Sequence, residues 1–259
     1  MLIRFEVPRK LKSWIKRTIR KKTISCKTLA FIYGFLYRNY LFYNALLSSP
    51  FYFIKFIKTI TWDTEEAKGL YLQTFGPQFL EETIQICENS GITPFLVFGT
   101  LLGFHREKGF IKHDGDIDLG LFKRDFLKVE SLKKSMKAKG YLVKIQNKYE
   151  ILFFKRGFPS LFIHFCFFYK KKGRMLCSMT SEDHKELFTH YFPWEVFAEF
   201  KKITFLEQIK VLIPAQVERF LTITYGDWRT PKKEWDFLYD PLNIRIEENI
   251  ARCDSMPRG

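Results

Sequence analysis

The chain has 259 residues, with 43 Lys and Arg against 28 Asp and Glu, which gives a formal net charge of +15. This length is ample for one domain with a substantial core, and a hydrophobic content of 46% excludes a disordered or collagen-like chain. The five cysteines are scattered and form no CxxC pair, which argues against a disulfide framework or a structural zinc site. They predict reduced thiols in a cytoplasmic protein.

The positive charge belongs to one end of the chain. Residues 1–60 hold 13 Lys and Arg and one Glu, a net charge of +12, which leaves only +3 for residues 61–259. A nucleic-acid-binding domain would carry basic residues around its own core. The distribution therefore predicts no nucleic-acid partner, despite the high overall charge.

Residues 1–60 combine basic and aromatic stretches in a way that is typical of a membrane-associating segment. No apolar run of about 7–15 residues follows the basic start, so no secretory signal peptide is predicted. The charge-free windows 28–37 and 39–54 are shorter than the roughly 18–20 apolar residues of a spanning helix. We expect a peripheral or re-entrant anchor at the anionic cytoplasmic face of a membrane. Two alternatives stay open: a helical hairpin packed on the core or on another subunit, and a tilted span containing Arg38.

A strand, a small-residue turn and a helix start follow one another near the middle of the chain. Residues 94–98 are apolar and predict a buried strand, which ends at Gly99 and Thr100. The next segment, TLLGFHRE, has a helical pattern. Such a junction presents backbone N–H groups suited to a phosphate, although packing alone also produces junctions of this kind.

Three aspartates spaced by two come next: Asp114, Asp116 and Asp118. On a strand this spacing puts Asp116 and Asp118 on one face and the intervening apolar residues on the other. Two neighbouring carboxylates on a half-buried strand repel each other unless a cation lies between them, and oxygen ligands favour Mg²⁺ or Mn²⁺. An EF-hand loop is excluded, because its sixth position requires Gly and is Leu119 here.

The surrounding pattern mixes helices and strands. We expect helices at 77–89, 124–139 and 214–225, strands at 141–145, 150–154, 160–169 and 211–213, and a hairpin turn at 170–173. This mixture predicts an α/β mixed (α+β) fold.

The central motifs resemble those of the LicD/fukutin family of phosphotransferases, and fukutin-type sequences in particular. The resemblance lies in GTLLG at 99–103, Arg106, the pair Phe110-Ile111, HDGDIDLG at 113–120 and the later strand ending FFY at 167–169. It covers roughly residues 75–240 and implies a nucleotidyltransferase-like mixed sheet flanked by helices, so we expect a catalytic domain at 61–259. Residues 1–60 do not share it.

The resemblance implies transfer of a phospho-alcohol (ribitol-, glycerol- or choline-phosphate) from a CDP-linked donor, with release of CMP. The acceptor would be a sugar hydroxyl of a cell-surface glycan or glycolipid, such as lipopolysaccharide or capsule. Asp116 and Asp118 would hold Mg²⁺ or Mn²⁺, with Asp114 as an additional ligand.

The strand–turn–helix junction at Gly99 and Thr100 would bind the donor phosphates. The resemblance implies that the backbone of Gly99 and Thr100 contacts these phosphates and that Arg106 clamps one of them. The alternative for Arg106 is an ordinary surface salt bridge near Glu107.

One position departs from the family pattern. The third carboxylate is expected on the strand ending FFY, and counting back from Tyr169 places His164 there. An imidazole can bind a metal or accept a proton but supplies no negative charge. His164 and Asp114 are therefore both candidates for the general base.

Two alternatives to the phosphotransferase function stay open. The chain could be a nucleotidyltransferase acting on RNA or a small molecule, or a catalytically degenerate membrane-bound partner protein.

Overall fold

A computed structural model describes residues 65–155, 158–181, 186–232 and 235–248. The predicted anchor at 1–60 lies outside these residues. The helices are α1 (Glu65–Asn89), α2 (Phe98–Glu107), α3 (Val129–Ala138) and α4 (Val217–Tyr225), with 3₁₀ turns at Lys123–Lys128 and Trp194–Phe197. The strands are β1 (Phe95–Leu96), β2 (Asp116–Phe122), β3 (Tyr141–Gln146), β4 (Glu150–Lys155), β5 (Phe158–Lys171), β6 (Arg174–Thr180), β7 (Glu186–Pro193), β8 (Phe200–Phe205), β9 (Ile209–Pro214) and β10 (Ile244–Glu248).

The described strands form one mixed sheet of ten, in the order β10-β7-β6-β5-β2-β1-β9-β8, with the β3–β4 hairpin added beside β5. Strand β2 runs parallel to β5 and antiparallel to β1. The long β5 pairs with β4 over its first part and with β6 over its last residues. The predicted mixed α/β fold is therefore confirmed.

The helices cover the central strands. Helix α1 packs against β2, β5 and β9, whereas α2 packs against β2 and α4. The apolar residues that alternate with the aspartates along β2, Ile117, Leu119 and Leu121, are completely buried. Burial of this apolar face anchors β2 in the middle of the molecule and determines the direction of its aspartates.

Six phenylalanines form a second buried layer, which we call the aromatic core: Phe95, Phe98, Phe168, Phe192, Phe197 and Phe220. Their contacting rings have centroids 4.8–6.2 Å apart, in tilted, edge-on and stacked arrangements. His190 from β7 packs into the same layer, with its ring 4.9 Å from that of Phe98. Part of the chain's aromatic content thus serves packing around the carboxyl end of β5 and the start of α2.

Several element boundaries differ from the sequence-based expectation. Helix α1 begins 12 residues before 77 and contains Pro77 in its interior, because buried residues on both sides of the proline, such as Leu72 and Phe79, hold it against the sheet. The helix expected at 124–139 starts as a 3₁₀ turn. The strand expected at 94–98 is only two residues long.

The hairpin turn expected at 170–173 is confirmed, with Lys172 and Gly173 at φ of 48° and 73° between β5 and β6. Within the described ranges, no helix has both the length and the apolar composition that crossing a membrane requires. The described cysteines, Cys87, Cys166 and Cys177, are buried free thiols.

Candidate active site

The junction between β1 and α2 is tied to the aspartate strand by two hydrogen bonds. The Gly99 N–H donates to Asp118 Oδ2 at 3.0 Å, and the Asp118 N–H donates to the Thr100 hydroxyl at 2.8 Å. Asp118 is 7% exposed and Thr100 is 1% exposed. The start of α2 therefore holds one carboxylate in place, aided by the partial positive charge of the helix N-terminus. The predicted contact of Gly99 and Thr100 with a donor phosphate stays a prediction.

Position 99 has no room for a side chain. A Cβ atom there would lie 2.6 Å from Asp114 Oδ2 and 3.2 Å from Asp118 Oδ2. The preceding residue, Phe98, has a φ of 42°, which is unusual for a bulky side chain and is held by packing in the aromatic core. The turn thus brings the backbone close to two carboxylates at the cost of local strain.

Asp116, Asp118 and His164 form a compact group of candidate metal ligands. One ligand atom from each lies within 4.8 Å of the others. Asp118 is the register partner of His164 across the parallel β2–β5 pair, so His164 occupies the neighbouring-strand position expected for a third ligand. His164 Nδ1 is 3.4 Å from Asp118 Oδ1. Two ligands that are each about 2.1 Å from one cation lie roughly 3.0–3.4 Å apart, so this donor set fits a divalent ion.

The three carboxylates repel each other in this confined space. Burial and the charge of Asp118 raise the pKa of Asp114 to about 6. Burial and the charges of Asp118 and Asp114 raise the pKa of Asp116 well above its ordinary value. Asp114 lies beside the ligand group but is not part of it, and its Oδ1 accepts a hydrogen bond from the Gly115 N–H at 2.8 Å. A bound divalent cation would offset this repulsion.

A fourth carboxylate, Glu150, lies behind His164. Its Oε2 is 2.8 Å from His164 Nε2, and its side chain is almost fully buried. Its Oε1 accepts hydrogen bonds from the Thr180 N–H at 2.8 Å and the Thr180 hydroxyl at 2.6 Å. Although burial raises the pKa of Glu150, the bonds from His164 and Thr180 bring it below the ordinary value.

Sequence reasoning identified the strand that begins at Glu150 but gave this residue no role. The sequence did contain a signal, since the aromatic strand EILFFK begins with an acid. A buried acid in such a strand needs a hydrogen-bonding or charged partner. The partner, His164, becomes visible only through the antiparallel pairing of β4 with β5.

Arg106 and Tyr225 lie near Asp114, Asp116 and Asp118, which together with His164 and Glu150 form what we call the acidic cleft. Burial, followed by the charges of Asp118 and the other two aspartates, raises the pKa of Tyr225, while Arg106 opposes this shift. Arg106 donates to the Trp228 carbonyl at 3.2 Å and to Glu107 at 2.8 Å. Its Nε–H is buried and has no partner among the described residues. Arg106 thus makes the salt bridge with Glu107 that was the alternative to a phosphate clamp. It still keeps one unpaired donor, and its contact with a phosphate stays a prediction.

Tyr225 was another residue that sequence reasoning missed. It was expected only as the end of a helix, and it does close α4. Its ring lies 5.1 Å from that of Trp235. A tyrosine followed by Gly226 and a tryptophan-containing segment was the sequence signal, but its nearness to the aspartates depends on how α4 packs against α2.

Comparisons with known proteins indicate a family for the part of the chain that contains this site. The model of the LicD/FKTN/FKRP nucleotidyltransferase domain matches residues 91–216. The ribitol-5-phosphate transferase FKTN of Mus musculus is 24% identical over 192 residues, and that of Homo sapiens is 22% identical over the same length. These matches cover 71% of this chain but only 39% of either relative, so the chain spans about two fifths of their length.

Two further similarities are to an uncharacterized bacterial protein and to a solved structure. An uncharacterized protein of Rickettsia prowazekii is 22% identical over 86% of this chain and 79% of its own length. The crystal structure of the lincomycin-bound lincosamide antibiotic adenylyltransferase LnuA aligns with 53% of this chain and 79% of its own, at 12% identity and a TM-score of 0.35, which carries no argument about function. Residues 91–216, which contain the junction, the aspartates and His164, match the LicD/FKTN/FKRP nucleotidyltransferase domain, so this part of the chain is LicD/fukutin-like.

Proposed function

We propose that this chain is a metal-dependent phosphotransferase that moves a phospho-alcohol from a CDP-linked donor to a sugar hydroxyl and releases CMP. The observation that carries the proposal is the convergence of Asp116, Asp118 and His164 beside the Gly99 junction. The name of the FKTN relatives favours ribitol phosphate over glycerol or choline phosphate as the transferred group. The acceptor is a sugar hydroxyl of a cell-surface glycan or glycolipid.

The chain's own residues divide the work of phosphoryl transfer. Asp116, Asp118 and His164 hold a divalent cation, which when bound neutralises negative charge on the donor phosphates. The Gly99 N–H keeps the Asp118 carboxylate oriented, and the Thr100 hydroxyl accepts a hydrogen bond from the Asp118 backbone N–H and so fixes the backbone there. Arg106 supplies its unpaired Nε–H and its charge to a phosphate oxygen, since guanidinium groups bind phosphates strongly.

Asp114 is the better candidate for the proton acceptor. His164 is engaged on both sides, by Glu150 and by Asp118, which leaves no free nitrogen for an incoming hydroxyl. Asp114 is half-buried beside the ligand group but is not part of it, so its carboxylate is not taken up by the cation. We therefore assign it the task of taking the proton from the acceptor hydroxyl.

We also propose that residues 1–60 bring the enzyme to the cytoplasmic face of a membrane. The support is their net charge of +12 next to aromatic stretches, since each basic residue near an anionic leaflet contributes on the order of 1 kcal/mol. A chain lacking residues 1–60 should leave the membrane fraction after cell lysis. If it sediments with membranes as before, the anchor assignment is wrong.

The enzymatic proposal is tested with the full chain, Mg²⁺ or Mn²⁺, and a panel of CDP-ribitol, CDP-glycerol and CDP-choline. We expect metal-dependent CMP release, fastest with CDP-ribitol, and a loss of about 10²–10³-fold in Asp118→Asn, comparable to the removal of one key electrostatic group. CMP release that is unchanged in Asp116→Asn and Asp118→Asn would contradict the assigned site.

The alternatives give different outcomes in the same assay. Nucleotide transfer from ATP or CTP to RNA or a small alcohol, without CMP release from any CDP-alcohol, would favour a nucleotidyltransferase. No turnover of any donor would favour a degenerate partner protein.

A further inference from the structure

Glu150 is directed at His164 by the groups around it. Its Oε1 is occupied by two donors from Thr180, the backbone N–H and the hydroxyl, so Oε2 is left to face His164 Nε2 at 2.8 Å. An ionised carboxylate only accepts hydrogen bonds. His164 Nε2 must therefore carry a proton, and the other nitrogen, Nδ1, is the one turned toward the aspartates.

His164 Nδ1 is placed as a ligand and not as a good hydrogen-bond donor. Its distance of 3.4 Å from Asp118 Oδ1 exceeds the usual range of about 2.7–3.2 Å for an N–H···O bond. The same distance suits two atoms bound to one cation. Histidines that bind metals almost always donate their second N–H to a carboxylate or carbonyl, which fixes the tautomer and the ring orientation.

We propose that Glu150 is a positioning residue that orients His164 as a nitrogen ligand, and that this makes the site prefer Mn²⁺ to Mg²⁺. The inference rests on the metal site of the proposed function but adds a residue and an ion preference to it. Imidazole nitrogen suits first-row transition ions, whereas Mg²⁺ favours oxygen ligands and retains its water. The site thus combines two aspartates with a histidine that has a carboxylate behind it.

The isosteric variant Glu150→Gln is the sharpest probe. The Thr180 N–H requires an acceptor, so the amide oxygen of Gln turns toward Thr180 and its NH₂ group faces His164 Nε2. The imidazole must then accept at Nε2 and carry its proton on Nδ1, where that proton blocks metal binding. If Glu150 had a purely structural role, this substitution should change the Mn²⁺ affinity little. If Glu150 positions His164, the substitution should weaken Mn²⁺ binding strongly.

The experiment is Mn²⁺ binding to the full untagged chain without donor, followed by electron paramagnetic resonance, with Mg²⁺ as competitor. We expect pulsed spectra of the wild type to show ¹⁴N coupling from one imidazole. Glu150→Gln should lose that coupling and weaken Mn²⁺ binding about 10–100-fold, the usual cost of removing a group that orients a metal ligand. His164→Ala, which removes the ligand itself, should lose the coupling and weaken binding at least as much. Both should narrow the preference for Mn²⁺ over Mg²⁺ by about tenfold or more.

Two further variants isolate the action of Glu150. In a His164→Ala background, Glu150→Gln should change the Mn²⁺ affinity less than twofold, because Glu150 acts through His164. Glu82→Gln is the matched control, since Glu82 is another half-buried carboxylate, bonded to Tyr141 and Lys155 away from the site. It should bind Mn²⁺ like the wild type. Thermal unfolding in EDTA verifies that each variant is folded.

The outcomes separate this inference from the proposed function. Absence of ¹⁴N coupling in the wild type, or its persistence in His164→Ala or Glu150→Gln, overturns the inference even if CMP release is observed. Nitrogen coupling that follows His164 and Glu150 supports it, even if no CDP-alcohol is turned over.

Discussion

Two histidines on the same sheet, His164 on β5 and His190 on β7, are held in opposite states by their surroundings. Burial opposes charge on His164, but its contacts with Cys166, Asp118 and Glu150 raise its pKa well above the ordinary value. Burial lowers the pKa of His190 to about 4, and a single hydrogen bond with Asn243 only partly counters this. Without a bound cation, the acidic cleft therefore favours the charged form of this residue type, whereas the aromatic core favours the neutral form.

The difference extends to the regions around the two side chains. The acidic cleft concentrates like charges and a strained turn, which favour catalysis over stability. The aromatic core contains packed rings and one neutral histidine, which favour stability. Substitutions in the core should therefore act on unfolding. Substitutions in the cleft should act on turnover and, where they remove a repelling charge, should also stabilise the fold.

The largest effect should come from opening the aromatic core. Phe168 is completely buried and contacts Phe95, Phe192 and Phe197. Phe168→Ala should lower the free energy of unfolding by about 3–5 kcal/mol, because it removes packing and leaves a cavity. Urea unfolding measures this loss. Phe168→Leu, which keeps most of the volume, should cost far less, and equal losses in the two variants would refute a cavity as the cause.

Filling the Gly99 turn should affect turnover in particular. The methyl group of Gly99→Ala would lie 2.6 Å from Asp114 Oδ2, so the acids must shift. We expect about a hundredfold slower CMP release, since misplacement of catalytic groups by roughly 1 Å has this cost. Gly109→Ala is the control, because its Cβ would meet only Leu206 at 3.4 Å. Similar turnover in both variants would show that the Gly99 clearance is unimportant.

The regularity of β2 made half of the acidic cleft predictable. Alternation of aspartates with apolar residues predicts a strand, and β2 begins at Asp116. Counting back from Tyr169 predicts His164 opposite the acids, and the register pairs it with Asp118. The first prediction succeeds because it depends on local periodicity alone. The second rests on the family resemblance, which places His164 on the strand that pairs in parallel with β2.

Glu150, Tyr225 and several strands were not predictable in the same way. Glu150 reaches His164 through the pairing of β4 with β5, and Tyr225 reaches the cleft through the contact of α4 with α2. Strands β8 and β10 have exposed, basic or acidic residues such as Lys201 and Glu247, which obscure an alternating pattern. Strands β8 and β10 are therefore stabilised by pairing with β9 and β7, and their own sequences do not indicate a strand.

The neutral state of His190 predicts an acid-sensitive contribution to stability. Between pH 6.5 and 4, the unfolded chain binds a proton at this histidine and the folded chain does not, so the free energy of unfolding falls as pH falls. The contribution lost between pH 7 and 5 is about 2 kcal/mol. Urea unfolding of His190→Phe should show a pH dependence smaller by this amount. Equal pH dependence in the two proteins would mean that His190 is protonated in the fold.

The smallest effect should be a gain of stability from the cleft. The raised pKa of Asp114 means that its charge destabilises the folded chain at pH values above about 6, and that this penalty disappears as pH falls toward 3.8, the ordinary value for the carboxyl. In EDTA at pH 7.5, Asp114→Asn should stabilise the fold by about 1–2 kcal/mol, a discounted figure because the side chain is partly exposed. The same variant should slow CMP release if Asp114 accepts the proton.

Thermal unfolding at pH 7.5 and pH 4 tests whether the charge of Asp114 causes this gain of stability, because the gain should vanish at the lower pH. A gain of equal size at both values would point to packing, and the acidic cleft would then no longer differ from the aromatic core in being destabilised by its own charges.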